Sequence, residues 1–111
     1  MTMKELVLGV KVSLGVVRSV ARVIKDVSDL EKMRAGDILV IPKSDPVYAL
    51  YVMRASGVIC QSGGKLSHLC IVALEMGIPC ITSVEGACEL IKDGDDIILD
   101  ANEGKVYSCD E

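Results

Sequence analysis

Residues 58–82 read VICQSGGKLSHLCIVALEMGIPCIT. Two short apolar stretches, 58–60 and 80–82, are too brief for helices and suit buried strands. Between them lie a glycine pair, Gly63 and Gly64, and a segment from Ser67 to about Met76 with the composition of a helix. Gly77 and Pro79 close that segment, as a left-handed C-terminal glycine and a following proline commonly do. A strand, a helix and a second strand at this spacing require a crossover, and crossovers join parallel strands. An α/β architecture follows.

The flanking sequence extends the same alternation. Upstream, Ile38, Leu39, Val40 and Ile41 form a short apolar run stopped by Pro42, a third buried strand. Ser44, Asp45 and Pro46 then start a helix expected to run through residues 47–53, because proline is tolerated in a first turn and Ser or Asp can cap it. Residues 28–33 predict another short helix, with Ser28 as cap and Glu31 completing a capping box. Nearer the N-terminus, residues 6–12 and 16–24 read as two strands separated by Gly15, the second with a period of two. Downstream, 85–91 predicts a helix, and 96–99 with 105–107 a hairpin around Asn102 and Gly104. The expected order is two strands, three strand–helix alternations and a hairpin. Residues 1–111 are expected to form a single compact layered domain, with no repeat and no linker.

Composition narrows the function. Half of the 111 residues are apolar, yet Phe and Trp are absent, and 15 Val with 10 Ile supply the burial, which favours strands. The longest apolar run, residues 69–74, is far short of the roughly 18 residues a membrane span needs. The N-terminal segment is too short and too charged for an export signal. A net charge of −4 without aromatic-basic surface argues against nucleic acid. Residues 1–54 carry nine basic and six acidic groups, and residues 55–111 three and ten, an asymmetry that suits a solvated surface or a partner of opposite sign. The five cysteines, at 60, 70, 80, 88 and 109, form no C-x-x-C pair and read as reduced thiols in a cytoplasmic protein.

Chemistry concentrates at the start of the central helix. His68 is the only histidine in the chain. A segment apolar on every side, as 69–74 is, is expected to be buried all round, leaving its N-terminal tip as the useful surface. At such a tip the first N–H groups lack intrahelical partners and the potential is positive, so an anion is favoured. Glycines let backbone N–H groups approach a phosphate closely. The same potential disfavours imidazolium, so a neutral imidazole with a free lone pair is expected, competent to hold a phosphoryl group. Glycine amides, Ser67 and Lys65 could position it; Ser67 by itself also reads as an N-cap. No Gly-x-Ser-x-Gly elbow occurs, which removes a hydrolase reading, and no Lys-Ser/Thr ending of a P-loop, which argues against nucleotide binding by this domain alone.

The stretch GGKLSHLCIVALEMGIP resembles the phosphohistidine signature of the PEP-utilising enzymes, GG-x-(T/L)-SH-x-A-I-V-A-R-E-x-G-I-P. Ser13-Leu14-Gly15 resembles the family's S-P-G station. Ala35 to Val40 resembles its GD-x-LV, and Ser44-Asp45-Pro46 its T-D-P. Residues 91–95 and 103–107 are similar to its closing hairpin, so the resemblance covers residues 9–107. It implies a swivelling β/β/α phosphohistidine domain, as in phosphoenolpyruvate synthase and pyruvate phosphate dikinase. His68 would be the phosphorylated residue, with Gly63, Gly64 and Ser67 shaping the phosphate pocket. It further implies a stand-alone carrier that relays a phosphoryl group between nucleotide- or phosphoenolpyruvate-binding and pyruvate-type acceptor proteins. Such a chain is a phosphotransferase component that needs partner domains, binds no cofactor itself and meets Mg2+ only on those partners. Three departures stand against the pattern: Leu74 replaces the family Arg, Cys60-Gln61 replaces Thr-Asp or Thr-Glu, and Leu14 replaces a proline. These leave a non-catalytic binding or regulatory module with the same fold as the alternative.

Overall fold

The computed structural model describes residues 2–110. Eight strands run in chain order: β1 (Thr2–Leu8), β2 (Val10–Ser13), β3 (Val16–Val23), β4 (Ile38–Ile41), β5 (Gly57–Cys60), β6 (Cys80–Thr82), β7 (Asp96–Asp100) and β8 (Lys105–Asp110). The helices are α1 (Ala49–Val52), α2 (His68–Met76) and α3 (Ala87–Leu90), with 3-10 turns at Val27–Lys32 and Pro46–Tyr48. Strands follow the order β1-β8-β7-β3-β4-β5-β6-β2. The β3–β4, β4–β5 and β5–β6 pairs are parallel, as the crossovers require, and the others antiparallel.

Strand β3 divides its length between two sheets. Val16 to Val20 pair with β7 and Ala21 to Val23 with β4. An antiparallel sheet of β1, β8, β7 and β3 therefore folds over a mainly parallel one. Between them lies one apolar layer, including Val23, Ile38, Val40, Ile59, Ile81, Ile97 and Leu99. A second layer, with Leu39, Ile41, Val58, Cys60, Leu69 and Ala73, joins the parallel sheet to the helices. Strand β4 shows why both can exist: all four residues are buried, and successive side chains enter opposite layers. The result is the β/β/α layering that the resemblance implies.

Several local expectations are corrected. The run 6–12 is not one strand, because the chain changes sheets at Gly9. The Gly9 N–H bonds the Gly104 carbonyl at 2.8 Å. A Cβ at Gly9 would strike Val84 Cγ2 and come within 2.9 Å of the Thr82 carbonyl oxygen. The first 3-10 turn is capped not by Ser28 and Glu31 but by a box of Asp26 and Asp29, the Asp29 carboxylate accepting the Lys25 and Asp26 N–H groups at 3.0 Å. Ser28 instead donates to the Asp26 carboxylate. The helix expected over 47–53 is a 3-10 turn followed by the single-turn α1, started by Asp45, which accepts the Val47 N–H at 2.9 Å. The helix expected over 85–91 is the shorter α3.

Candidate functional site

The ends of three neighbouring parallel strands converge on one spot. Strand β4 leads to Ser44, β5 leads into the loop of residues 61–67, and β6 ends in Thr82 and Ser83. Sites in α/β folds form at the carboxyl ends of parallel strands, where connecting loops gather. Helix α2 starts here, and His68, its first residue, is exposed. A single imidazole therefore stands on the rim of a loop cluster, open to solvent.

The loop is held by specific polar contacts. Gln61 donates its N–H to the Ile41 carbonyl at 2.8 Å, and its side-chain oxygen accepts the Cys88 N–H of α3 at 2.9 Å. The Gly63 carbonyl accepts the Thr82 hydroxyl at 2.7 Å and the Ser83 hydroxyl at 3.3 Å. Gly63 has φ +136°, and a Cβ there would lie 3.3 Å from Ser44 Cβ and 3.4 Å from Ser67 Oγ. The positive φ calls for glycine at Gly63, and the space beside Ser44 is tight. Gly64 has nothing within 4 Å of an added Cβ, so its lack of a side chain leaves the surface open rather than relieving a clash.

Neither serine caps the helix the sequence suggests for it. Ser67 occupies the N-cap position with extended backbone, and its carbonyl accepts the Ile71 N–H at 3.0 Å. Its hydroxyl makes no capping bond; Ser67 Oγ is buried and has no hydrogen-bond partner. Capping comes from outside the helix, with Ser44 Oγ accepting the Leu69 N–H at 3.1 Å. The Gly64 and His68 N–H groups have no partner among the described residues, so the tip keeps unspent donors for an anion.

Beneath the loop Cys60, Cys70 and Cys80 are all buried. Burial pushes the Cys60 thiol above its ordinary value, while the Thr82 hydroxyl pulls the other way. The neighbouring Cys70 thiol, with burial, holds Cys80 above its ordinary value, while Cys80 pulls Cys70 below it. Among the described residues no three His, Cys, Asp or Glu side chains are grouped to hold a metal ion, and no helix is long and apolar enough to cross a membrane.

Helix α2 is not buried on all sides. Leu69, Cys70 and Ala73 face the sheet, whereas Leu74 is 55% exposed and Leu66, just before the helix, 85%. A single helix resting on a sheet covers only one flank, so an all-apolar sequence leaves apolar surface outside. Sequence reasoning picked out His68, Gly63, Gly64 and Ser67 but missed Ser44 as the cap of α2 and Thr82, Ser83 and Gln61 as tethers of the loop. A signal for Thr82 does exist: a hydroxyl ends an otherwise apolar parallel strand.

Comparison with known proteins accords with this geometry. The family model for the mobile domain of PEP-utilising enzymes matches residues 33–104, more than half of the chain. The chain belongs to this family. Probable phosphoenolpyruvate synthase of Methanothermobacter thermautotrophicus is 36% identical over 102 residues, covering 92% of this chain and 15% of the synthase. Rifampicin phosphotransferase of Bacillus cereus is 37% identical over 102 residues, covering 92% of this chain and 12% of that protein. This mobile domain thus spans a small part of the length of the curated relatives it matches. Among solved structures, the solution structure of an Enzyme I protein superposes with TM-score 0.61 at 25% identity, over 74% of this chain and 34% of that one. Thermococcus kodakaraensis aconitase X shares the fold with TM-score 0.69 at 18% identity, covering 99% and 100% of the two chains.

Proposed function

We propose that this mobile domain carries a phosphoryl group on His68. The observation that supports it most directly is the exposed imidazole at the start of α2, beside Gly64 and His68 N–H groups that have no other partner. In the first step a lone pair of one ring nitrogen attacks the phosphorus of a donor. The P–N bond forms as the donor's P–O bond breaks, and the leaving oxygen keeps the electron pair. In the second step an acceptor oxygen attacks the same phosphorus, the P–N bond breaks and the imidazole is restored. The chain's own contribution is positional: Gly63 and Gly64 keep side chains away from the phosphoryl oxygens, and backbone N–H groups offset their charge. Ser67 joins them when rotation about its Cα–Cβ bond turns the unpartnered hydroxyl outward.

The relatives' names support a donor and an acceptor of the phosphoenolpyruvate synthase kind: a nucleotide or phosphoenolpyruvate site on one partner domain and a small acceptor such as pyruvate on another. Mg2+ belongs in this proposal to those partner domains. The test is labelling with phosphoenolpyruvate or ATP in host lysate followed by mass analysis. A single-phosphate adduct, lost in acid and kept in alkali, is expected on the wild-type chain and absent from His68→Ala. Equal labelling of His68→Ala overturns the proposal.

A further inference from the structure

Thr82 is completely buried, yet it is polar and lies at the end of an apolar strand. Its neighbour Ser83 has φ +55°, the one positive value among the described non-glycine residues. A non-glycine side chain in the left-handed region costs energy and persists only where its surroundings hold it. Both hydroxyls donate to the same acceptor, the Gly63 carbonyl, at 2.7 and 3.3 Å, which occupies both lone pairs of that oxygen.

The consequence lies on the other side of the same peptide unit. In a trans peptide the C=O and the following N–H point in opposite directions. No peptide bond among the described residues is cis. With the Gly63 carbonyl drawn toward Thr82, the Gly64 N–H points away from Thr82, and it has no hydrogen-bond partner among the described residues. We propose that Thr82, assisted by Ser83, is a positioning residue that orients the Gly63–Gly64 peptide so that the Gly64 N–H donates to a phosphoryl oxygen on His68. This rests on the phosphohistidine reading and adds to it a device that acts through the loop backbone rather than by touching the phosphate.

The test needs no partner protein. Phosphoramidate, a small-molecule phosphoryl donor, is applied to the full chain and to Thr82→Val, Thr82→Ser and Ser83→Gly. Phosphorus NMR follows the lifetime of phosphohistidine, and amide NMR follows Gly64. In the wild type, phosphorylation of His68 is expected to move the Gly64 amide proton downfield, as a new hydrogen bond does. Thr82→Val keeps the shape of the side chain but removes the hydroxyl. It should abolish that shift and shorten the phosphohistidine lifetime about tenfold, the effect of one lost hydrogen bond. Thr82→Ser restores both. Ser83→Gly removes a strained side chain, so its unfolding temperature should rise while the lifetime falls, a divergence that a merely structural role does not produce.

The positioning proposal is overturned if His68 takes the phosphoryl group but the Gly64 shift and the lifetime are unchanged in Thr82→Val. Failure of Thr82→Ser to restore a loss seen in Thr82→Val overturns it as well. A wild-type chain that is folded yet takes no phosphoryl group on His68 overturns the underlying carrier reading, a separate and recognisable outcome.

Discussion

The layer between the two sheets and the loop at the ends of β4, β5 and β6 are neighbours built on opposite principles. The sheet–sheet layer consists of Val, Ile, Leu and Ala side chains, with Cys88, that interlock by shape. Burial is non-directional, and many apolar combinations of similar volume would serve. The loop has little apolar surface of its own. Its path depends on a few directional contacts: two hydroxyls on the Gly63 carbonyl, Ser44 on the Leu69 N–H, and Gln61 on α3. One region supplies stability, and the other converts part of it into a fixed backbone geometry. Damage to the first should be read in unfolding, damage to the second mainly in phosphoryl chemistry.

The largest expected stability loss is in the shared layer. Ile59 is fully buried there, and Ile59→Ala should cost about 2–5 kcal/mol from lost transfer energy and a residual cavity. Denaturant unfolding measures this, while the fraction of folded chains that accept a phosphoryl group on His68 should stay unchanged. Next comes Gly63→Ala, with an expected cost of about 1–3 kcal/mol because alanine is strained at this φ, together with a loss of phosphohistidine. Gly64→Ala, with open space around its Cβ, should stay within about 0.5 kcal/mol. Thermal unfolding of the pair separates the two glycines, and equal losses would refute their different roles.

Ser44→Ala removes the cap supplied to α2 from outside the helix and should cost about 0.5–2 kcal/mol. Amide exchange should show the change concentrated at Leu69. The smallest effect concerns acid. The Asp29 carboxyl is held below its usual 3.8, first by the Asp26 N–H and then by the Lys25 N–H. A folded-state value below the unfolded one means this stabilisation is complete above the unfolded-state value and is lost as pH falls through the folded-state value. Asp29→Asn should therefore lower stability slightly at neutral pH and weaken its pH dependence below about pH 4. Unfolding midpoints across acid pH check the sign.

Legibility followed the same division. Strands β4, β5 and β6 and the hairpin of β7 and β8 were readable because apolar runs and turn residues act locally. The starting point of α2 was readable from Ser67 and the glycine pair, and its end from Gly77, which has φ +70° as a left-handed cap does. The switch of sheets at Gly9 was not readable, since its cause is the approach of Val84 and Gly104, 75 and 95 residues away in sequence. The exposed flank of α2 was misread because an apolar stretch does not reveal how many neighbours it will have.

The amino-acid order by itself determined an alternating, layered α/β chain and the location of the lone histidine at a glycine-led helix start. Those properties arise from backbone preferences and hydrophobic period, which act over a few residues. Only the tertiary structure decided that Ser44 rather than Ser67 caps α2, that Thr82 and Ser83 meet on one carbonyl, and that the Gly64 N–H is left without a partner. A hydrogen bond is directional and short, so its partner is known only after separate strands have brought their ends together.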